Sequence, residues 1–272
     1  MKILFVAEIV GRAGHSAVKL LLKKTITEQN IDFVIANVNG ATGGFGIGKV
    51  HAITLKKRGV DVLTGGENIF LKKDFIDFLP KNRWALRPAN LPPGIPGNGW
   101  GVYKTKTGGE IGVINMVGQS GYSRMHGNNP FTYLPDIAEK IRKRTKIIIF
   151  NFHAATTAEK QSMIFHADSL VSAVIGSGAR CQSADAGITE KGTAFITDSG
   201  RTGSRLSVYG LESSIEMKNL LTGMPVWSKD GWGDNRLQGV ILDAEPDGSV
   251  SSIKTLDIPS EEATDDPHGS GN

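Results

Sequence analysis

Side chains that could do chemistry follow several short apolar runs of this sequence. Glu8 comes after the first run, Asn39 and Glu67 after the next two, and His153 after a later one. Carboxylate, amide and imidazole groups bind divalent metal ions, and a carboxylate or an imidazole can also transfer protons. The sequence therefore carries residue types suited to a metal-assisted or an acid–base reaction.

Two arginines follow later runs, Arg180 and Arg201. A guanidinium is permanently charged and recognises phosphate with two hydrogen bonds, so one interpretation is an anion-binding site. The plainer interpretation is that these arginines form salt bridges with Glu8 and Glu67.

The elements that must position these residues alternate along the chain. Apolar runs and amphipathic spacing predict strands at 2–7, 33–36, 60–64, 100–104, 110–116, 146–151, 172–175, 193–197, 238–243 and 250–257, and helices at 15–29, 48–58, 74–79, 135–144, 156–166 and 211–221. This alternation indicates an α/β sandwich, a fold class in which ligands gather beyond the carboxyl ends of the strands.

Composition places the chain among ordinary globular proteins. Its 272 residues are 39% hydrophobic and 21% charged, with no apolar run near the ~18–20 residues of a membrane span. The N-terminus lacks the pattern of a signal peptide, and Cys181 is the only cysteine, so we expect a cytoplasmic protein with no membrane association. Residues 1–257 are predicted to form one domain, and the acidic residues 258–272 a disordered tail.

Several ordered motifs give the chain a family resemblance. They are RPAN at 87–90, FHA at 152–154, QSAD at 182–185 and KGTAFITD at 191–198. With them the sequence from about residue 2 to 257 resembles the YmdB-type subgroup of calcineurin-like metallophosphoesterases, bacterial phosphodiesterases that hydrolyse cyclic nucleotides at a dinuclear metal centre. The resemblance implies a four-layer α/β/β/α sandwich of two mixed sheets flanked by helices, and a homo-oligomer by analogy.

The first three metal-binding motifs of the family are altered here. Its GDVVG loop supplies an aspartate ligand where this chain has Glu8. Its GEN motif supplies the bridging glutamate and an asparagine, replaced by Asn39 and Gly40. Its GNH motif supplies an asparagine ligand and a histidine proton donor, replaced by Glu67 and Asn68.

The later motifs are altered as well. The family's FHAE motif keeps its histidine as His153 but loses its glutamate. Its GTHTH motif supplies two histidine ligands, here Gly178 and Arg180, and Arg201 replaces an apolar residue of its DVGMTG stretch. Two adjacent dications need a bridging carboxylate, whereas a guanidinium repels metal ions. We therefore expect no metal cofactor, and Arg180 is predicted to substitute for one cation by pairing with Glu8.

These residues favour a catalytically impaired binding or scaffold protein whose partner is a protein or a phosphate-containing small ligand. The alternative is a phosphodiesterase with a rebuilt site. It would hold one divalent transition metal, Mn or Fe, on Asn39, Glu67 and His153, or hydrolyse without metal through catalytic Glu67 and His153. A weaker alternative is nucleic-acid binding, because the net charge is +4 and the basic residues are clustered.

Overall fold

Two mixed β-sheets face each other at the centre of the molecule. The computed structural model describes residues 1–122, 125 and 127–260. The first sheet has the order β2-β11-β12-β1-β3-β4, with β13 also paired to β12. Its strands are β1 Lys2–Val6, β2 Glu8–Ile9, β3 Phe33–Asn37, β4 Val62–Thr64, β11 Arg201–Ser204, β12 Asn235–Ala244 and β13 Val250–Pro259.

The second sheet has the order β5-β6-β7-β8-β10-β9. Its strands are β5 Trp100–Lys104, β6 Glu110–Val117, β7 Ile148–His153, β8 Ala173–Ser177, β9 Gly187–Ile188 and β10 Ala194–Ile196. The helices are α1 Gly11–Glu28, α2 Lys49–Lys57, α3 Lys73–Ile76, α4 Pro130–Arg142, α5 Thr157–Ala167 and α6 Ser213–Thr222, and a 3₁₀ turn lies at Leu79–Lys81.

Alternating side chains divide the interior into three layers of apolar contact. In β1, Ile3 and Phe5 pack between the two sheets, whereas Leu4 and Val6 pack on the other face against α1 and α2. In β7, Ile149 joins the middle layer, and its neighbours pack against α4 and α5. Because successive side chains of a strand point to opposite faces, this pattern defines a helix–sheet–sheet–helix sandwich. The predicted four-layer architecture is confirmed.

Parallel pairing brings the functional loops to one edge. β1, β3 and β4 run parallel in the first sheet, and β6, β7, β8 and β10 run parallel in the second. The carboxyl ends of these strands therefore carry the loops that contain most of the predicted site residues.

The predicted boundaries need correction at several elements. The first helix begins at Gly11 and not at residue 15, α3 covers only four residues, and β13 continues to Pro259 beyond the expected start of the tail. The short strands β2, β9 and β11 were not predicted. The predicted disorder of residues 261–272 lies outside the described residues.

Helix α4 begins at Pro130, five residues earlier than predicted, because proline is tolerated at the start of a helix. The side chain of Asn129 caps it by accepting a hydrogen bond from the backbone N–H of Phe131 at 3.0 Å. Pro135 then lies inside the helix, where its missing N–H leaves the carbonyl of Phe131 without its usual partner. The Nε2 atom of His166 lies 2.7 Å from this carbonyl oxygen and satisfies it.

Candidate functional site

The loops at the carboxyl ends bring five predicted residues into one buried centre. Glu8, Asn39, His153 and Arg180 are each at most 3% exposed, and Glu67 is partly exposed at the edge. In the first sheet Glu8 begins β2 and Glu67 follows β4, whereas in the second His153 ends β7 and Arg180 follows β8. The centre therefore joins the two sheets.

The first contact across this centre is an enclosed ion pair. Nη2 of Arg180 lies 2.7 Å from Oε1 of Glu8, and Nε donates to the same oxygen at 2.9 Å. The predicted Glu8–Arg180 pair is confirmed. Burial alone lowers the pKa of Arg180, but the charge of Glu8 and its hydrogen bond outweigh burial and raise that pKa.

The rest of the guanidinium is also engaged by the protein. Nη1 donates to the carbonyl of Tyr209 at 2.8 Å, and Nη2 donates to the carbonyl of Gly44 at 2.9 Å. The group also lies over the Tyr209 ring, 4.1 Å from its centroid. Arg180 therefore has little capacity left for a bound anion, which argues against the predicted anion site.

Arg201 does not complete an anion site with Arg180. Its Nη1 donates to the backbone carbonyl of Arg180 at 3.4 Å. Burial lowers the pKa of Arg201, and the nearby charge of Arg180 lowers it further. No salt bridge of Arg201 occurs within the described residues.

Two glycines make room for this arrangement. A Cβ atom at Gly40 would lie 2.6 Å from Nη2 of Arg180 and 3.1 Å from Oε1 of Glu8. Gly178 has a φ of +111°, and a Cβ there would lie 2.8 Å from the carbonyl oxygen of Ala154. The glycines that replace the family's asparagine at position 40 and histidine at position 178 are thus required by the packing seen here, and neither has a side chain that could bind metal.

The second contact across the centre joins Glu67 to His153. Oε2 of Glu67 lies 2.7 Å from Nε2 of His153, and Nδ1 of His153 lies 2.9 Å from the hydroxyl of Ser177. The Tyr122 ring stacks on the imidazole with centroids 5.9 Å apart. The partner of Glu67 is a histidine and not an arginine as predicted.

Charge coupling moves the two pKa values of this pair apart. Burial raises the pKa of Glu67, but the charge and hydrogen bond of His153 outweigh it and lower the value to about 2. Burial lowers the pKa of His153, but the charge and hydrogen bond of Glu67 outweigh it and raise that value. Glu67 is therefore ionised at neutral pH and is a poor proton donor or acceptor there.

Asn39 lies between the two ion pairs with its amide held in one orientation. Its Oδ1 accepts hydrogen bonds from the backbone N–H groups of Gly66 and Asn68, both at 2.9 Å. Its Nδ2 therefore faces the centre, 3.2 Å from Oε2 of Glu67 and 3.4 Å from Oε1 of Glu8. An amide N–H₂ group is a donor and offers no lone pair to a metal ion.

The residues present do not fit the dinuclear metal centre that the resemblance implies. The bridging carboxylate is replaced by the donor side of Asn39, and a guanidinium bonds the carboxylate at position 8. Within the described part of the chain, no three His, Cys, Asp or Glu side chains are grouped so that they could hold a metal ion. Asn39, Glu67 and His153 do come together, but a single metal there would require the Asn39 amide to turn over.

A pocket of about 330 Å³ opens beside the second ion pair. Glu67 and Asn68 form its polar side, and the Nδ2 atom of Asn68 donates to Oε1 of Glu67 at 2.7 Å. The remaining lining residues are Phe70, Leu71, Gly121, Tyr122 and Met125.

Sequence reasoning missed several contributors to the centre. Ser177, Tyr122 and Tyr209 contact its charged residues but lie in loops or at strand ends with no motif of their own. Ser177 was the most accessible to prediction, because it ends a strand of the second sheet next to Gly178.

The sandwich and the position of the centre at its strand ends define a metallophosphoesterase-like protein. Residues 4–256 match the model of the YmdB-like protein family, and the chain belongs to that family. It is 34% identical over 254 residues to the 2',3'-cyclic-nucleotide 2'-phosphodiesterase of Bacillus subtilis (strain 168), covering 93% of this chain and 95% of that protein.

Solved structures agree with this assignment. A hypothetical protein from Thermus thermophilus superposes with a TM-score of 0.88 at 27% identity, covering 95% of this chain and 99% of that one. A novel phosphatase from Mycoplasma pneumoniae gives a TM-score of 0.87 at 27% identity, covering 95% of this chain and 93% of that one.

Among the helices of the described residues, none combines the length and the apolar character that a membrane span requires.

Proposed function

We propose that this chain is a phosphodiesterase relative that binds a ligand at the inherited centre without two-metal hydrolysis. The observation that carries the proposal is the enclosed pair of Arg180 with Glu8. A guanidinium keeps its proton at any physiological pH, so its positive charge cannot be exchanged for a metal ion by deprotonation. A dication near Glu8 would have to overcome this fixed charge without a bridging carboxylate.

The pocket beside Glu67 supports a ligand of nucleoside size. Its volume of about 330 Å³ lies at the lower end of the range for small-molecule sites. Apolar and aromatic walls suit a planar ring, and the ionised Glu67 with Asn68 can accept and donate hydrogen bonds at its edge. The carboxylate disfavours a phosphate group inside the pocket, so the ring of a nucleotide is the part that fits.

The direct test combines metal analysis, binding and turnover. Elemental analysis of purified protein is expected to give far less than one transition metal per chain. Calorimetric titration with a 2',3'-cyclic nucleotide is expected to show binding that Tyr122→Ala weakens, and an added-Mn²⁺ assay is expected to show no hydrolysis. Stoichiometric metal, with turnover that a chelator abolishes, would overturn the proposal.

The second candidate is a phosphodiesterase with one metal ion held by Asn39, Glu67 and His153. The 34% identity to a cyclic-nucleotide phosphodiesterase favours it, as does the meeting of these three side chains. It requires the Asn39 amide to turn its oxygen inward and the contact between Glu67 and His153 to open. The same metal analysis separates the candidates, because this one predicts about one Mn or Fe per chain.

A single substitution then distinguishes residual catalysis from binding. Under the second candidate, His153→Asn removes metal and turnover together. Under the first, the same change leaves a metal-free, inactive protein unchanged in both respects. Metal-independent hydrolysis through Glu67 is less well supported, because the low pKa of Glu67 leaves it a weak base.

A further inference from the structure

A groove with basic and aromatic side chains runs along β5, the edge strand of the second sheet. It consists of two adjoining cavities of about 340 and 220 Å³, and Arg83 and Trp100 line both of them. The other basic and aromatic lining residues are Tyr103, Lys140 and Arg144 in the larger cavity and Arg87 in the smaller one. The groove shares no lining residue with the pocket beside Glu67, so it is a separate site.

The charge of this groove is strongly positive. Four cations line it, and no carboxylate of the described residues does. Arg83, Arg87 and Lys140 form no salt bridge within the part of the chain that the structure describes. Arg144 pairs with Glu110, which lies outside both cavities. Because like charges gathered in a cleft repel one another and attract counter-ions, the groove favours an anion.

Arg87 is the cation that most requires an anionic partner. It is half-buried, and its Nη1 and Nη2 atoms donate to the carbonyls of Pro88 at 2.6 Å and Ile95 at 3.4 Å. Its Nε atom is buried and has no hydrogen-bond partner among the described residues. Burial lowers the pKa of Arg87, and no carboxylate in the described chain offsets this effect. A bound anion would supply the missing charge and the missing hydrogen bond.

Trp100 places an aromatic surface between these cations. Together with Val102 it packs against the apolar layer that β6 and β7 form with α4 and α5, yet it remains partly exposed and lines both cavities. The hydroxyl of Tyr103 donates to the carbonyl of Arg83 at 2.7 Å and so ties β5 to the segment that carries this arginine. An aromatic ring among cations is the arrangement on which bases stack while phosphates bind the charges.

We propose that this groove binds a single strand of nucleic acid, with phosphates on the four cations and a base stacked on Trp100. Clustered basic residues favour nucleic acid only where aromatic side chains lie among them on one face, and the β5 edge has this arrangement. In a duplex the bases stack on each other, so a base that stacks on Trp100 must come from an unpaired strand. RNA and DNA share this chemistry.

Fluorescence anisotropy with a labelled single strand of about 12 nucleotides tests the charged contacts, as RNA and as DNA. Arg83→Gln combined with Lys140→Gln is expected to lower the slope of log K against log salt by about 1.4, at about 0.7 for each phosphate contact. Both residues are exposed, so the variant keeps its fold, which circular dichroism verifies. The matched control is Lys19→Gln combined with Lys23→Gln, which removes two exposed cations from α1 in the opposite helix layer and is expected to leave the slope unchanged.

Substitutions of Trp100 test the stacking. Trp100→Leu keeps an apolar side chain against the core but removes the ring, so it is expected to weaken binding about 5-fold or more without changing the salt slope. Trp100→Phe keeps a ring and is expected to retain most of the affinity. Polyglutamate of the same charge has no bases, and it is expected not to displace the strand from the wild type.

The proposal is overturned if the wild type does not bind the strand at low salt, or if the two double variants lose equal slope. The same holds if Trp100→Leu binds like the wild type, or if a duplex or polyglutamate binds as tightly as the single strand. None of the substituted residues lines the pocket beside Glu67, so binding of a cyclic nucleotide there is measured independently.

Discussion

The two ion pairs of the centre differ in how they are enclosed. Both join a carboxylate from the first sheet to a cation from the second, where the family is expected to hold metal ions. Glu8 with Arg180 is sealed from water, and its guanidinium does not titrate. Glu67 with His153 lies beside a pocket, and its imidazole titrates. The comparison indicates that the sealed pair joins the two sheets, whereas the open pair borders the pocket that the proposed function assigns to a ligand.

The largest effect is expected from Arg180→Met. This change leaves the carboxylate of Glu8 buried without its partner, which costs about 3–5 kcal/mol of unfolding free energy. Urea denaturation measures the loss. Arg144→Met is the control, because the Arg144–Glu110 pair is exposed and such pairs contribute only about 0–1 kcal/mol. Equal losses in the two variants would mean that burial of the Glu8–Arg180 pair does not set its effect on stability.

A smaller effect is expected from Gly40→Ala. The added methyl group would press on the Arg180 guanidinium, and such overpacking costs about 1–3 kcal/mol. In an Arg180→Met background the more flexible side chain can move aside, so the cost falls. A double-mutant cycle measures this coupling. Additive losses would mean that Gly40 is needed for its backbone and not for the room it leaves.

The stability contributed by the pair of Glu67 and His153 is expected to depend on pH through the histidine, whereas the guanidinium of the sealed pair does not titrate. The lowered pKa of Glu67 contributes stability above its ordinary value of 4.5, which is lost as pH falls towards about 2. The raised pKa of His153 contributes stability below its ordinary value of 6.5, which is lost as pH rises through the raised value. Both contributions are fully present only between these ordinary values.

Glu67→Gln therefore costs most between about pH 4.5 and 6.5, on the order of 1–2 kcal/mol, and less at alkaline pH. Denaturation curves of the two proteins across the pH range give this difference. A difference that grows as pH rises above 6.5 would contradict the assigned charge on His153.

The smallest effect is expected from Arg201→Gln. Its contact with the centre is one long hydrogen bond to a backbone carbonyl, so the loss should stay below about 1 kcal/mol. Thermal denaturation beside Arg180→Met makes the comparison. A loss as large as that of Arg180→Met would mean that Arg201 shares in neutralising Glu8.

The alternation of strands and helices was predictable because long apolar runs have clear periodicity. The short strands β2 and β11 were not, because they show too few residues to reveal a period, whereas the equally short β4 and β10 lie within longer apolar runs. The start of α4 was also missed. Pro135 looked like a helix start, but a tertiary hydrogen bond from His166 lets it lie inside the helix.

The site was predictable where the family resemblance and charge agreed. A buried arginine among strand ends needs a carboxylate, and the resemblance placed Arg180 at a ligand position of the metal shared with position 8, which is Glu8 here. The contact of Glu67 with His153 was not foreseen, because sequence does not reveal distances between loops of different sheets. Nor could it give the orientation of Asn39, which two backbone N–H groups fix.

Gly178 opposes a return of the family's histidine at this position. Its φ of +111° lies in the left-handed region that favours glycine, and there is no space for a Cβ atom, so a histidine would strain the backbone here. A side chain at position 178 would also demand movement of the loop at residue 154, because its Cβ atom would lie 2.8 Å from the carbonyl oxygen of Ala154. Rebuilding the histidine that the family carries here therefore takes rearrangement of two loops and not a single substitution.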